Sequence, residues 1–86
     1  MKVNKSFAMR EIAGDYILVP LGEVALDFCG MITTNEVGAF IWECMQDEIS
    51  KEEIINKILD EYEVEREVAK ADLDEFLEML KKENII

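Results

Sequence analysis

The sequence contains no histidine, so imidazole-based triads and metal sites are excluded. It has one proline, Pro20, and four glycines that are too scattered for a phosphate-cradling loop. Its two cysteines, Cys29 and Cys44, fall in different predicted elements without Cys-x-x-Cys spacing. A disulfide between them is not expected in a cytoplasmic protein, and Cys44 reads as a small hydrophobe on a helical stripe. No apolar run approaches the roughly 20 residues that span a bilayer. Met1-Lys2-Val3-Asn4-Lys5 lacks the apolar core of a signal peptide, which predicts a cytoplasmic protein with no membrane partner. Basic residues are also scarce: nine Lys and Arg stand against 20 Asp and Glu, for a net charge of −11. Phosphate backbones are held mainly through Lys and Arg, so nucleic acid is a poor partner and a basic peptide or protein a good one.

What is present describes one small globular domain. The 86 residues are 50% hydrophobic and 34% charged, a globular balance, and predict a single domain over 1–86. A chain this size buries only about 60–65% of its unfolded surface, so the core is small. Phe7–Ile12 reads as an outer strand. Ala13-Gly14-Asp15 is a turn signal, and the strand formers of Tyr16–Val19 follow closely enough for a hairpin. Pro20 ends that run or marks an edge, and Leu21-Gly22-Glu23 is a second turn. Val24–Phe28 alternates, with Val24, Leu26 and Phe28 on one face and Ala25 and Asp27 on the other, the period of a half-buried third strand.

Helical signals begin after Gly30. Thr33 and Glu36 fit a capping box that starts the first helix, with Asn35 as a rival cap. Val37, Phe40, Ile41, Cys44 and Met45 make one apolar stripe, with Trp42 beside it. Gly38 within this helix costs about 1 kcal/mol relative to Ala, which predicts close packing of another backbone there. Ser50 and Glu53 form a second capping box before the stripe Ile54, Ile55, Ile58, Leu59 and Tyr62. A third helix is predicted over Glu65–Lys82, with the stripe Ala69, Leu73, Phe76, Leu77 and Leu80 widened by Val68 and Met79. Its start is weakly capped, and Ile85 and Ile86 read as a docking tail. The fold class is α+β: a three-stranded antiparallel meander followed by three helices (βββααα), a winged-helix type of arrangement.

No catalytic site is legible. The acidic residues lie on solvated helix faces, and Asp72, Asp74, Glu75 and Glu78 do not converge on one point as metal ligands. The EF-hand pattern is absent, and Ser6 and Ser50 have no histidine partner. The expectation is therefore no enzyme and no cofactor. Neither later helix presents a basic face for DNA: the second carries Lys51 and Lys57 among acids, and the third Arg66, Lys70, Lys81 and Lys82. What remains is a binding surface. An unpaired edge of Val24–Phe28 beside the third helix would make an apolar groove with an acidic rim, able to take an extended peptide as an added strand. Taken singly, Val24, Leu26, Phe28 and Phe76 read as core.

Several segments resemble one family. Met9-Arg10-Glu11-Ile12, Gly14–Pro20, and above all Asn35-Glu36-Val37-Gly38-Ala39-Phe40-Ile41-Trp42-Glu43 are similar in order and spacing to the PqqD-like family, with its N-E-x-G-A-x-x-W-E motif. Ile54-Ile55…Tyr62 and Phe76-Leu77…Leu80 fit as well, so the resemblance covers nearly the whole chain. It implies a recognition element for ribosomally made, modified peptides, which presents a precursor's leader to a radical SAM or other maturase. It also implies that the leader docks between the third strand and third helix. Carried over, peptide binding falls to Val24, Ala25, Leu26, Asp27 and Phe28, facing Asp72, Phe76 and Met79. Thr34 departs from the family's common Leu before Asn-Glu. The resulting expectation is a non-catalytic peptide-binding adaptor. The alternatives are a helix-face interaction module that needs no leader and a DNA-binding winged helix. An open edge strand also allows a homodimer.

Overall fold

The computed structural model describes residues 7–22, 32–83 and 85. Within them, three antiparallel strands precede three helices: β1 (Phe7–Ile12), β2 (Asp15–Pro20), β3 (Ile32–Thr34), α1 (Glu36–Cys44), α2 (Lys51–Glu61) and α3 (Arg66–Lys82). The strands lie in the order β1-β2-β3. The expected strand Val24–Phe28 lies outside the described residues, as do Cys29 and Ile86.

The β1–β2 hairpin closes through Ala13 and Gly14, both at positive φ (52° and 87°). Such two-residue loops match the right-handed twist of the flanking strands. Gly adopts this conformation freely, whereas Ala13 does so against its Cβ. Asp15 and Pro20 extend β2 beyond the four apolar residues, with Pro20 paired to Phe7 at the strand end. The registers Met9↔Leu18↔Ile32 and Glu11↔Tyr16↔Thr34 put these residues on one face with Phe7. That face meets the helices: Phe7, Leu18 and Ile32 are buried within the core.

All three helical stripes reach the core. Ile41, Cys44 and Met45 of the α1 region, Ile54, Ile55 and Ile58 of α2, and Ala69, Leu73, Phe76, Leu77 and Leu80 of α3 are buried together. Val37, Phe40, Leu59, Tyr62 and Met79 are partly buried against them. Phe40 meets Tyr62 edge-on, with ring centroids 5.5 Å apart and planes at 89°, a favoured aromatic geometry. Val68 does not widen the α3 stripe; it is 47% exposed. Trp42 is buried. Cys44 is a free, buried thiol held above its ordinary pKa chiefly by burial, as expected of an inert core cysteine.

Two caps settle the helix starts. Ser50 and Glu53 form the predicted reciprocal box, with the Glu53 amide donating to Ser50 Oγ at 3.2 Å. The first helix is capped by Asn35 and not by Thr33. The Gly38 amide donates to Asn35 Oδ1 at 2.8 Å, and Asn35 is extended (φ −106°, ψ −177°). Thr33 and Thr34 are thereby released into β3. The glycine in α1 is also explained differently from the sequence expectation. A side chain, not a backbone, approaches it: a Cβ at Gly38 would overlap Thr34 Oγ1 and lie 3.0 and 3.1 Å from Thr34 Cβ and Cγ2. At its far end the chain returns to the core through Ile85, which is buried and donates its amide to the Leu80 carbonyl at 2.8 Å.

Candidate functional site

The short β3 strand, the Asn35 cap and the close Thr34–Gly38 approach bring the strand end against the start of α1. The middle of α3 stands across from this junction. Between them lies a cleft of about 70 Å³ lined by Thr34, Asn35, Val37, Gly38, Asp72, Glu75 and Phe76. Two of the expected α3 residues, Asp72 and Phe76, are thus brought to the third strand. Phe76 is buried at the cleft's inner side and Asp72 is half-buried. Met79 continues the same helix face at the i, i+4, i+7 spacing of 72, 76 and 79. It lines a separate, open concavity of about 730 Å³ with Glu78, Lys81, Lys82 and Glu83.

Residues Val24–Phe28, expected to supply the opposite wall, lie outside the described residues. The strand that stands at the cleft is Ile32–Thr34. Within the described sheet it is an edge strand, paired with β2 on one side only. Thr34, Val37, Gly38 and Glu75 line the cleft and were not among the expected site residues. The β-branched run Ile32-Thr33-Thr34 was the available signal for the strand.

The electrostatics are one-sided. The ion pairs among the described residues join α2 to α3: Lys51 Nζ to Asp74 Oδ1 at 2.6 Å, and Arg66 to Glu52. Neither engages Asp72 or Glu75. The Lys51 hydrogen bond holds the Asp74 carboxyl below its ordinary pKa. These partners are half-exposed, so solvent screens both pairs, and they serve mainly to register α2 against α3. Among the described residues, no group of three or more Asp, Glu or Cys comes together as a metal site. No helix among them is long and apolar enough to cross a membrane.

The sequence profile for coenzyme PQQ synthesis protein D (PqqD) matches residues 22–86. The chain belongs to the PqqD family. Two solved structures share its fold. One, TbiB1 in complex with the TbiA(beta) leader peptide, is 26% identical, with a TM-score of 0.74, and the match covers 99% of this chain and 93% of that one. The other, lasso peptide synthetase B1 complexed with the leader peptide, is 21% identical, with a TM-score of 0.70, and the match covers 94% and 89%. No curated protein matches the chain.

The Asn35 cap, Gly38 under Thr34 and buried Trp42 give the Asn35–Glu43 motif a mechanical role: it ends β3, starts α1 and fixes the angle between them.

Proposed function

We propose that this PqqD-family chain is a non-catalytic adaptor that binds the leader segment of a ribosomally made precursor peptide and presents it to a modifying enzyme. The observation that carries the reading is the β3–α3 cleft beside a strand that, among the described residues, is paired on one side only. An extended peptide added to β3 gains main-chain hydrogen bonds from the strand and side-chain selectivity from the helix. In the neighbour of known structure at 26% identity, the bound partner is a leader peptide, and the fold is shared over nearly the full length of both chains.

The expected docking edge is carried to Ile32–Thr34, because this strand stands opposite Asp72 and Phe76. Asp72 and Glu75 add negative charge on the helix side, so a leader with Lys or Arg level with Thr34 is favoured. Met79 extends the same helix face for a longer peptide. In this reading the chemistry belongs to a partner enzyme, a radical SAM or other maturase, to which the leader is presented.

The test is isothermal titration with the leader of a precursor encoded beside this chain. Thr33→Pro removes a β3 amide without touching α3, and should weaken binding at least tenfold while the far-ultraviolet spectrum keeps its helical signal. Equal affinity for the wild type and a folded Thr33→Pro variant would rule out strand addition at β3.

A further inference from the structure

A second cleft lies at the opposite edge of the sheet, between β1 and α1, with a volume of about 410 Å³. Its origin is the register. Phe7, Met9 and Glu11 share the helix-facing side of β1, with Tyr16 next to them on β2. On α1 and just beyond it, Ala39, Trp42, Glu43 and Gln46 follow i, i+3, i+4, i+7 spacing and line the cleft, Trp42 at the same time being part of the buried core. Phe7, Met9, Ala39 and Trp42 make apolar walls, while Glu11 and Glu43 are exposed at the mouth. Burial, and then the nearby charges of Glu11 and Glu36, raise the Tyr16 phenol above its ordinary pKa.

The volume is within the roughly 300–1,000 Å³ range of binding pockets and exceeds the space one water or ion needs. The combination of apolar wall and acidic mouth selects a particular occupant. A second copy of this chain brings a net charge of −11 and is repelled, and an anionic ligand meets two carboxylates. An apolar side chain flanked by cations satisfies both parts of the cleft.

We propose that the β1–α1 cleft is a second docking site, which takes a Leu- or aromatic-sized side chain flanked by Lys or Arg from the surface of a partner protein. Because β1 and β3 are opposite edges of the sheet that the described residues form, this cleft and the β3–α3 cleft can be filled at the same time. That the partner is the modifying enzyme rests on the adaptor reading; the chemistry of the cleft does not.

Trp42 is the single tryptophan of the chain and a wall of the cleft, so its fluorescence reports occupancy. The probes are three heptapeptides in a Gly-Ser frame with the centres Lys-Leu-Lys, Lys-Ser-Lys and Glu-Leu-Glu. The Lys-Leu-Lys peptide should perturb Trp42 saturably, with the other two at least tenfold weaker. In a Glu11→Lys/Glu43→Lys variant the Glu-Leu-Glu peptide should become the tighter binder. Ala39→Leu, which fills the cleft without altering charge, should abolish the response. Three results would overturn the proposal: no discrimination among the peptides, an unchanged ranking in the charge-reversed variant, or sedimentation showing a wild-type dimer that Ala39→Leu dissociates. The assay contains no leader, so its failure leaves the β3–α3 reading standing, and failure of leader binding leaves this one standing.

Discussion

Gly38→Ala is the substitution whose outcome the structure determines most sharply, because two opposing effects meet there. In an isolated helix the change would stabilise by about 1 kcal/mol. Here the new Cβ would overlap Thr34 Oγ1 and sit 3.0 Å from Thr34 Cβ and 3.1 Å from Thr34 Cγ2. Rotating the Thr34 side chain relieves the first contact but leaves the short Cβ–Cβ approach, so β3 must move relative to α1. Overpacking of this kind costs typically about 1–3 kcal/mol. The cost outweighs the propensity gain, and a net loss of about 1 kcal/mol is expected, equivalent to roughly 4–8 °C in Tm for a domain of this size. Urea unfolding should show a lower midpoint with an unchanged m-value. Combining Gly38→Ala with Thr34→Ala should recover part of the loss, with a coupling of about 0.5–1.5 kcal/mol, because the two residues touch. If Gly38→Ala stabilises by the full helix propensity, or if the double variant is merely additive, then Thr34 is not what requires the glycine.

Three further predictions concern the local devices of the fold. Ser50→Ala removes the oxygen that accepts the Glu53 amide and should cost about 1 kcal/mol in chemical unfolding, whereas Thr33→Ala should not disturb the start of α1, because Asn35 caps that helix. Ala13→Gly relieves a left-handed alanine and should stabilise by up to about 1 kcal/mol, since a residue with a Cβ pays roughly 1–2 kcal/mol in that conformation. The Asp74 carboxyl should titrate by NMR below its ordinary 3.8, and Lys51→Gln should bring it back up. Because the folded pKa is depressed, its stabilising contribution is complete above 3.8 and is lost as the pH falls through the lower folded value, and that loss should vanish in Lys51→Gln.

The helical half of the molecule was legible because each helix repeats its apolar residues every three or four positions against charged neighbours. The stripes of α1, α2 and α3 follow from that spacing, and the Ser50 box and the weak cap at Glu65 from the residue types at the helix starts. The β1–β2 hairpin was legible from its turn residues. The third strand was harder to read. Three residues cannot display a period of two, and Thr33 with Glu36 offers a capping pattern that competes with the strand reading. The winner was decided by geometry that spacing does not carry: Asn35 Oδ1 reaches the Gly38 amide, and Thr34 turns toward Gly38. Asp72 and Phe76 were named through the family resemblance and not through any spacing of their own, while Thr34, Val37 and Glu75 emerged as cleft residues only once β3 was in place. Trp42 stood beside its stripe in the sequence, yet it is buried in the core and also lines the β1–α1 cleft.

In the proposed complex a leader peptide adds to β3 and lies against α3. An amide NMR titration of the isotopically labelled chain with the leader of a neighbouring precursor measures this directly. The largest shifts should fall on Ile32, Thr33 and Thr34, with new protection from exchange at the Thr33 amide, accompanying shifts at Asp72, Glu75 and Phe76, and little change at β1. Saturable binding that leaves Ile32–Thr34 and the α3 residues unshifted would contradict it.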